Sequence, residues 1–539
     1  MDVIVGIDTG TTATKAVAVG AAGEPRGLAS VTYPLSVPAA GRAELDPGLL
    51  RDAAVHTLVE VARQARERGD RVVAVSLSAF LHGLVPLDPG GRPLGPLITW
   101  ADGRAGAQSA ALVAAGRAPA LHARTGTPVH PMSPLAKLAW WHDTHPGTLR
   151  DTPRWGGVKE LVLAALADAP FVVDLSAASG TGLYDIHQRR WDPEALEITG
   201  VRTAQLGEVV PTTEQFPLRR DVAAAAGLPD TIPVIVGATD GPLATLGVGA
   251  TAPGVAAVSL GTSGALRTVV HAPTVDRAGR LFCYALTADR WVIGGAVNNA
   301  GSVVRWARRT FTGYPDADPP GGERLDIDRS EGGRADAGAP VAAGRGGVGE
   351  DLGDAALLVE AGGVPAGSEG LLCLPYLLGE RAPWWRPGLR GAYLGLGREH
   401  GRAHLVRAAV EGVCQQLALV RDTVADEGIP VTEVRATGGA VASTLWVSVL
   451  AAALDLPVAV AGAREGTALG AGLLGWHALG ALPDLDHAAA LVGVGTPTRP
   501  DPDAAALYRR LRPLVERAAL AVTEMHTELD TLARGSTVP

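Results

Sequence analysis

The chain opens on Val3-Ile4-Val5-Gly6-Ile7-Asp8-Thr9-Gly10-Thr11-Thr12. A β-branched apolar run ends in one carboxylate, Asp8, and the chain then turns through glycine and hydroxyl residues before a second apolar run at 16–19. This pattern predicts a strand, a tight turn and a returning strand. Backbone N–H groups in such a turn can surround a phosphate, which would place Asp8 beside a metal ion or its bound waters.

A related pattern occurs in the second half of the chain, as Val255-Ala256-Ala257-Val258-Ser259-Leu260-Gly261-Thr262-Ser263-Gly264. Two hairpins of the phosphate-binding type predict two related lobes that close on a nucleotide. A third glycine turn, at 434–440, could pass along the nucleoside. The segment 10–15 lacks the second glycine and the Lys-Ser/Thr pair of a Walker A loop, so nucleotide binding would rest on these three turns. One glycine turn alone is usually structural, whereas three in this order are far more specific.

Composition limits the class of protein. The 539 residues are too many for one ordinary core, so two large domains are expected. A net charge of -9 argues against nucleic-acid binding. The three cysteines are far apart, without metal-ligand spacing, and the start of the chain lacks the features of a signal peptide, so we expect a cytoplasmic protein. An uncharged window at 436–454 contains glycine and hydroxyl residues, which predicts a turn and a buried helix rather than a membrane span.

The order of elements predicts mixed α/β lobes. Short apolar strands at 71–77, 233–236, 255–260, 435–436 and 458–460 alternate with helical stretches at 49–68 and 403–425. We predict an N-terminal lobe over 1–248, a C-terminal lobe over 249–480, and a helical extension with a tail over 481–539. Residues 316–354 are rich in glycine, alanine and charge and contain no aromatic residue, so we expect a flexible insertion there.

The two hairpins and the third turn resemble the phosphate-1, phosphate-2 and adenosine elements of the actin/hexokinase/Hsp70 superfold. Two further stretches, at 132–140 and 391–411, resemble the two signatures of the FGGY carbohydrate kinases. Within that family, four stretches are similar to gluconokinases, namely 125–132, 172–183, 295–299 and 378–385. The resemblance implies an α/β protein of two actin-like, ribonuclease H-like lobes, with ATP and Mg²⁺ bound in the cleft between them.

The resemblance also assigns roles to residues. Asp240, which follows an apolar strand and is flanked by glycines, would be the base that accepts the proton of the sugar hydroxyl. Asp8 would hold Mg²⁺ through water, because Mg²⁺ keeps several of its waters. An aspartate in a turn can also serve only as a cap or a turn stabiliser. The residues expected to contact ATP are Gly10, Thr11, Thr12, Gly261, Thr262, Gly438 and Gly439.

The sugar site is implied by two short segments. Leu81 and His82 resemble the Met-His substrate segment of the family, with Leu81 departing from the usual methionine. Asp102 and Arg104 resemble a Trp-x-Asp-x-Arg segment that could bracket a polyol, although such a pair is ordinarily a local ion pair. A sugar acid needs a cation for its carboxylate, and the candidates are His82, Arg104, His130 and Lys137.

These features predict a kinase that phosphorylates D-gluconate at its 6-hydroxyl. A xylulokinase or another sugar or polyol kinase is the nearest alternative. A non-catalytic sugar sensor and an actin-like ATPase are alternatives from other classes. The expected partners are ATP and a small sugar acid, with no nucleic acid or membrane, and possibly a second copy of the chain as a homodimer.

Overall fold

The computed structural model describes residues 1–312, 351–462 and 465–535. The strands are β1 (Asp2–Thr9), β2 (Ala13–Gly20), β3 (Pro25–Thr32), β4 (Glu44–Leu45), β5 (Arg71–Ala79), β6 (Val85–Leu87), β7 (Leu97–Ile98), β8 (Arg154–Gly156), β9 (Val172–Asp174), β10 (Tyr184–Asp185), β11 (Arg190–Trp191), β12 (Glu208–Val210), β13 (Gln215–Pro217), β14 (Pro233–Thr239), β15 (Val255–Leu260), β16 (Gly264–Val270), β17 (Phe282–Ala285), β18 (Trp291–Val297), β19 (Leu372–Leu374), β20 (Ala392–Leu394), β21 (Glu433–Thr437) and β22 (Val458–Val460). The helices are α1 (Pro47–Glu67), α2 (Gly106–Ala114), α3 (Ala118–Thr125), α4 (Pro134–Thr144), α5 (Pro146–Asp151), α6 (Val158–Leu166), α7 (Leu175–Ser179), α8 (Pro193–Thr199), α9 (Arg220–Ala226), α10 (Asp240–Gly247), α11 (Gly301–Thr312), α12 (Asp351–Gly362), α13 (Arg402–Asp426), α14 (Thr444–Leu454), α15 (Gly466–Ala478), α16 (Ala488–Leu491), α17 (Pro502–Ala521) and α18 (Thr523–Gly535).

The first large sheet has the strand order β13-β14-β5-β1-β2-β3. The opening stretch forms β1 and returns antiparallel as β2, with Ile7 opposite Ala16, as the sequence predicts. Strand β5 lies parallel to β1 on its other side, and β14 lies parallel to β5. Apolar residues of β1 and of the long helix α1, such as Val5 and Leu58, are fully buried in one cluster. The carboxyl ends of β1, β5 and β14 therefore lie together at one edge of the sheet.

The second large sheet repeats this topology, with the order β17-β18-β16-β15-β21-β22. Strands β15 and β16 form an antiparallel hairpin, and β21 lies parallel to β15 on the other side. The buried helices α13 and α14 supply much of the core against this sheet. The prediction of two related α/β lobes is confirmed, since each sheet places a hairpin next to a parallel strand.

Helices α10 and α15 pack closely against each other between the two sheets. A Cβ atom on Gly247 would lie 1.7 Å from the carbonyl oxygen of Gly466, and one on Gly470 would lie 2.0 Å from that of Leu243. Only glycine allows two backbones to approach this closely. Helix α15 also lies against β1, where a Cβ on Gly6 would meet the carbonyl oxygen of Ala468 at 2.0 Å. A late segment of the chain thus packs on the first sheet.

Other sequence predictions have mixed outcomes. The uncharged window at 436–454 is a turn followed by the buried helix α14, and among the helices of the described residues none has the length and apolarity to cross a membrane. The three cysteines are free and buried. The helical extension predicted over 481–539 includes two long helices, α17 and α18, separated at Val522. The predicted insertion at 316–354 lies outside the described residues, apart from its last four, which open α12.

Candidate active site

A cleft of about 470 Å³ lies between the two sheets, within the size range of small-molecule sites. Its walls are the carboxyl ends of strands in the first lobe and the β15–β16 hairpin of the second lobe. The predicted site residues that line it are Asp8, Gly10, Thr11, Thr12, Leu81, His82, Asp240, Gly261 and Gly438. The fold therefore brings together residues that are more than 400 positions apart in the sequence.

Asp8 lies near the end of β1, where the hydroxyl of Ser78 on the neighbouring β5 donates a hydrogen bond to its Oδ1 at 2.8 Å. Burial raises the pKa of Asp8 from 3.8 to about 7, and the charge of Asp240 adds to this rise. Ser78 and Lys15 oppose the rise by stabilising the ionised carboxylate. A cation bound at this point would relieve the repulsion between the two aspartates.

Asp240 is the first residue of α10 and directly follows β14. The register of β14 against β5 shifts between Ile235 and Ala238, and Gly237 has φ +71°. This bulge changes the direction of the strand just before Asp240. The Gly241 N–H donates to Asp240 Oδ1 at 2.8 Å, which orients the carboxylate. Burial raises the pKa of Asp240, and Arg267 opposes that rise.

The glycine turns have the geometry expected of close backbone approach. The Gly10 N–H donates to the Ala13 carbonyl at 2.9 Å, and the Gly261 N–H donates to the Ser263 carbonyl at 3.0 Å. Gly438 has φ +107°, and a Cβ there would lie 2.4 Å from the carbonyl oxygen of Leu260. The tip of β21 and the end of β15 can therefore meet only if residue 438 is glycine.

Two of the predicted ATP contacts lie outside the cleft lining. Thr262 and Gly439 are not among the residues that line the cleft, whereas Ser263 is. The Thr262 hydroxyl accepts a hydrogen bond from Arg305 at 2.8 Å. In this conformation Ser263, rather than Thr262, lines the cleft.

His82 marks the acceptor side of the cleft. Its backbone has φ +68°, and its carbonyl accepts a hydrogen bond from the buried Lys137 ammonium. Burial lowers the pKa of His82 well below 6.5 and lowers the pKa of His130 to about 3. Both imidazoles are therefore neutral near pH 7, and neither is a cation that could pair with a carboxylate.

Asp102 and Arg104 are not placed as the sequence suggests. The sequence pattern predicts that they bracket the substrate, but neither lines the cleft. Arg104 donates to both carboxylate oxygens of Asp102 at 2.7 Å and also to Glu44, and both side chains are almost fully buried. Their hydrogen-bonding groups are thus used within the lobe, where they fix the loop that carries Trp100.

Several lining residues are absent from the sequence prediction. Arg267 and Arg381 both reach the cleft, together with Tyr284, and Lys15 bridges to Glu465 at 2.8 Å. Arg267 is three positions after Gly264 in the second hairpin, and the alternation of side chains along a strand could have predicted which face it lies on. Arg381 follows Glu380 in the sequence and could have paired with it, but one of its N–H groups donates to the Val297 carbonyl. Nothing in the sequence predicts the ion pair that Lys15 of the first lobe forms with Glu465 of the second.

Comparisons with known proteins agree with this architecture. Residues 3–247 match the N-terminal domain of the FGGY family of carbohydrate kinases, and residues 256–479 match its C-terminal domain. The chain is 36% identical to a gluconokinase of Bacillus subtilis (strain 168) over 535 residues, which is 99% of this chain and 98% of the relative.

Solved structures give the same result. A gluconate kinase from Lactobacillus acidophilus superposes with a TM-score of 0.86 at 30% identity, covering 98% of this chain and 99% of its own. A xylulose kinase from the same organism has a TM-score of 0.86 at 30% identity, covering 98% and 100%. With both family domains matched over nearly the whole chain, and with the two-lobed cleft in place, the protein belongs to the FGGY family of carbohydrate kinases, which are phosphotransferases with an alcohol acceptor.

Proposed function

We propose that the protein transfers the γ-phosphoryl group of ATP to the 6-hydroxyl of D-gluconate and forms 6-phospho-D-gluconate. The observation that carries this proposal is the position of Asp240, which faces the same cleft as both glycine hairpins. The similarity to a gluconokinase and to a gluconate kinase structure supports gluconate as the acceptor. The reaction would take place in the cytoplasm, where ATP is available, and a homodimer remains a prediction.

Asp240 is proposed as the general base. Its carboxylate is oriented by the Gly241 N–H, and a base at the start of a helix next to a bulge can approach a hydroxyl without steric obstruction. Phosphoryl transfer needs alignment and charge neutralisation more than covalent chemistry. The Asp240 carboxylate would accept the proton of the 6-hydroxyl as that oxygen attacks phosphorus, while ADP leaves.

Asp8 is the residue whose chemistry fits Mg²⁺. Its carboxylate supplies the oxygen ligand that Mg²⁺ prefers, and its pKa is raised to about 7 by burial and by Asp240, so a cation there removes an electrostatic cost. When bound, Mg²⁺ would neutralise phosphate charge. The N–H groups of Gly10 and Gly261 are used within their own turns, so the backbone N–H groups of the residues that follow them would face the phosphates, and Gly438 would lie along the nucleoside.

A neutral ketose is a second candidate, because a xylulose kinase superposes as well as the gluconate kinase does. An ADP-release assay with D-gluconate, D-xylulose and glycerol separates the candidates. We expect gluconate to give the highest kcat/KM. Gluconate turnover no higher than that of a no-acceptor control would refute the proposal, and ATP hydrolysis that ignores every acceptor would favour an ATPase.

The base assignment predicts a pH dependence. Because burial raises the pKa of Asp240 above 3.8, kcat/KM should fall as the pH decreases through that raised value, where the carboxylate becomes protonated. The Asp240→Asn variant should lose transfer by at least about 100-fold while still binding ATP in a calorimetric titration. Normal turnover by this variant would contradict the assignment.

A further inference from the structure

Two guanidinium groups enter the cleft without forming an ion pair to a carboxylate of the described residues, although the charge of Asp240 stabilises both. Arg267 donates from Nη1 to the Ser259 hydroxyl at 3.2 Å, and Arg381 donates from Nη2 to the Val297 carbonyl at 3.2 Å. The Nε atom of each is buried and has no hydrogen-bond partner. Within the described residues, both therefore retain donor groups that a ligand in the cleft can use.

The other basic side chains near the acceptor side are either neutral or already bound to other groups of the protein. His82 and His130 are uncharged at pH 7, because burial lowers the pKa of each. Lys137 is fully buried, donates to the His82 carbonyl, and has its pKa lowered by burial to about 7. Arg104 is bound by Asp102 and by a second carboxylate. Among the described residues at this end of the cleft, Arg267 and Arg381 are therefore the cations that can still pair with a carboxylate of the substrate.

Each arginine is held in place by a contact that is independent of any acid. Arg381 lies over the Trp100 ring, 5.1 Å from its centroid. Arg267 lies against the first turn of α10, where a Cβ on Gly241 would be 3.1 Å from its Nε. The charge of Asp240 offsets part of the cost of burying these guanidinium groups, and a negatively charged ligand in the cleft would offset more of it.

We propose that Arg267 and Arg381 bind the carboxylate of the sugar acid and select acids over neutral polyols. This inference rests on the proposed function in taking a sugar acid as the acceptor. A planar guanidinium can bind both oxygens of a carboxylate in parallel. Two such groups on the second lobe, in the cleft that Asp240 also lines, would hold the acceptor by its carboxylate.

The test compares D-gluconate with D-gluconamide, which has the same hydroxyl chain and a neutral end. Steady-state kinetics are measured for the wild type and for Arg267→Gln and Arg381→Gln, with Arg267→Lys and Arg381→Lys as charge-conserving controls. Loss of a charged hydrogen bond lowers affinity about 10- to 100-fold. The glutamine variants should therefore lower the ratio of kcat/KM for gluconate to kcat/KM for gluconamide about 10-fold or more. The lysine variants should retain part of this preference for gluconate.

A fall of equal size for gluconate and gluconamide would overturn the inference, because the arginines would then act on catalysis or folding. Calorimetric binding of gluconate to Asp240→Asn, with and without each glutamine substitution, provides a readout that does not need turnover. If gluconate binds through the arginines but the wild type does not phosphorylate it, the proposed function fails and carboxylate recognition stands. If removing both guanidinium groups leaves gluconate affinity unchanged, the inference fails alone.

Discussion

Replacing Asp8 by asparagine should stabilise the folded protein while abolishing its activity. The pKa of Asp8 is raised from 3.8 to about 7 by burial and by Asp240, so the folded protein disfavours the ionised carboxylate. At about 1.4 kcal/mol per pH unit, the rise corresponds to at most about 4 kcal/mol. Because the cleft is open to water, we expect a gain of about 1–3 kcal/mol for Asp8→Asn at pH 8. Asparagine Oδ1 can still accept the hydrogen bond from Ser78.

The sign of the pH dependence follows from the same shift. With a pKa that is higher in the folded than in the unfolded protein, the cost of ionising Asp8 is absent below about pH 4. It grows as the pH rises to about 7 and is constant above that. Thermal melts of wild type and Asp8→Asn should therefore coincide at about pH 4 and separate by about 1–3 °C at pH 8.

The control is an aspartate with the opposite shift. Asp2 is exposed, and a hydrogen bond from Arg71 lowers its pKa, so Asp2→Asn should not stabilise the protein at pH 8. Activity is measured in parallel and should fall at least about 100-fold in Asp8→Asn. A variant that melts lower than wild type at pH 8, or a difference in Tm that does not change with pH, would refute this account of Asp8.

Two further variants test the framework of the cleft. Lys159 donates to the carbonyls of Leu77 at 3.0 Å and Ala238 at 3.3 Å, beside the bulge before Asp240. The Lys159→Met variant should therefore have a lower kcat, with a smaller change in the KM for ATP. An unchanged kcat in folded protein would contradict this. Gly438→Ala should weaken ATP binding about 10-fold or more, because its Cβ would clash with a backbone carbonyl 2.4 Å away. Gly439→Ala is the matched control and should lose much less, since its Cβ would meet nothing within 4 Å; equal losses in calorimetric titrations would show that backbone strain is not the cause.

Local features of the site can be predicted from the sequence. The hairpins, the position of Asp240 after a strand and the glycine turn at 438 depend on residue types within about ten positions, and turn chemistry and strand alternation encode such short-range geometry. The resemblance to the actin/hexokinase/Hsp70 superfold rests on these same segments, and the resemblance to carbohydrate kinases adds the stretches at 132–140 and 391–411. Together with that resemblance, the amino-acid sequence is enough to assign Asp8 and Asp240 to one cleft.

Contacts between distant segments cannot be predicted in this way. Asp102 and Arg104 match a substrate-binding pattern in the sequence, yet they form an ion pair inside the lobe, and no local signal separates these outcomes. The packing of α15 on β1 and the Lys15–Glu465 bridge join residues about 450 positions apart. Such pairs depend on how the two lobes face each other.

The two-hairpin framework follows from the order of the amino acids, because strand periodicity and glycine turns are local properties of the chain, and the family and the roles of the two cleft aspartates are what the resemblance of its motifs implies. Which charged side chains are available to bind a substrate is instead a property of the folded molecule. Burial makes His82 and His130 neutral and an ion pair occupies Arg104, whereas the buried Nε atoms of Arg267 and Arg381 have no hydrogen-bond partner among the described residues. Whether a charged side chain is free depends on desolvation and on neighbours from distant segments, and these exist only once the chain has folded.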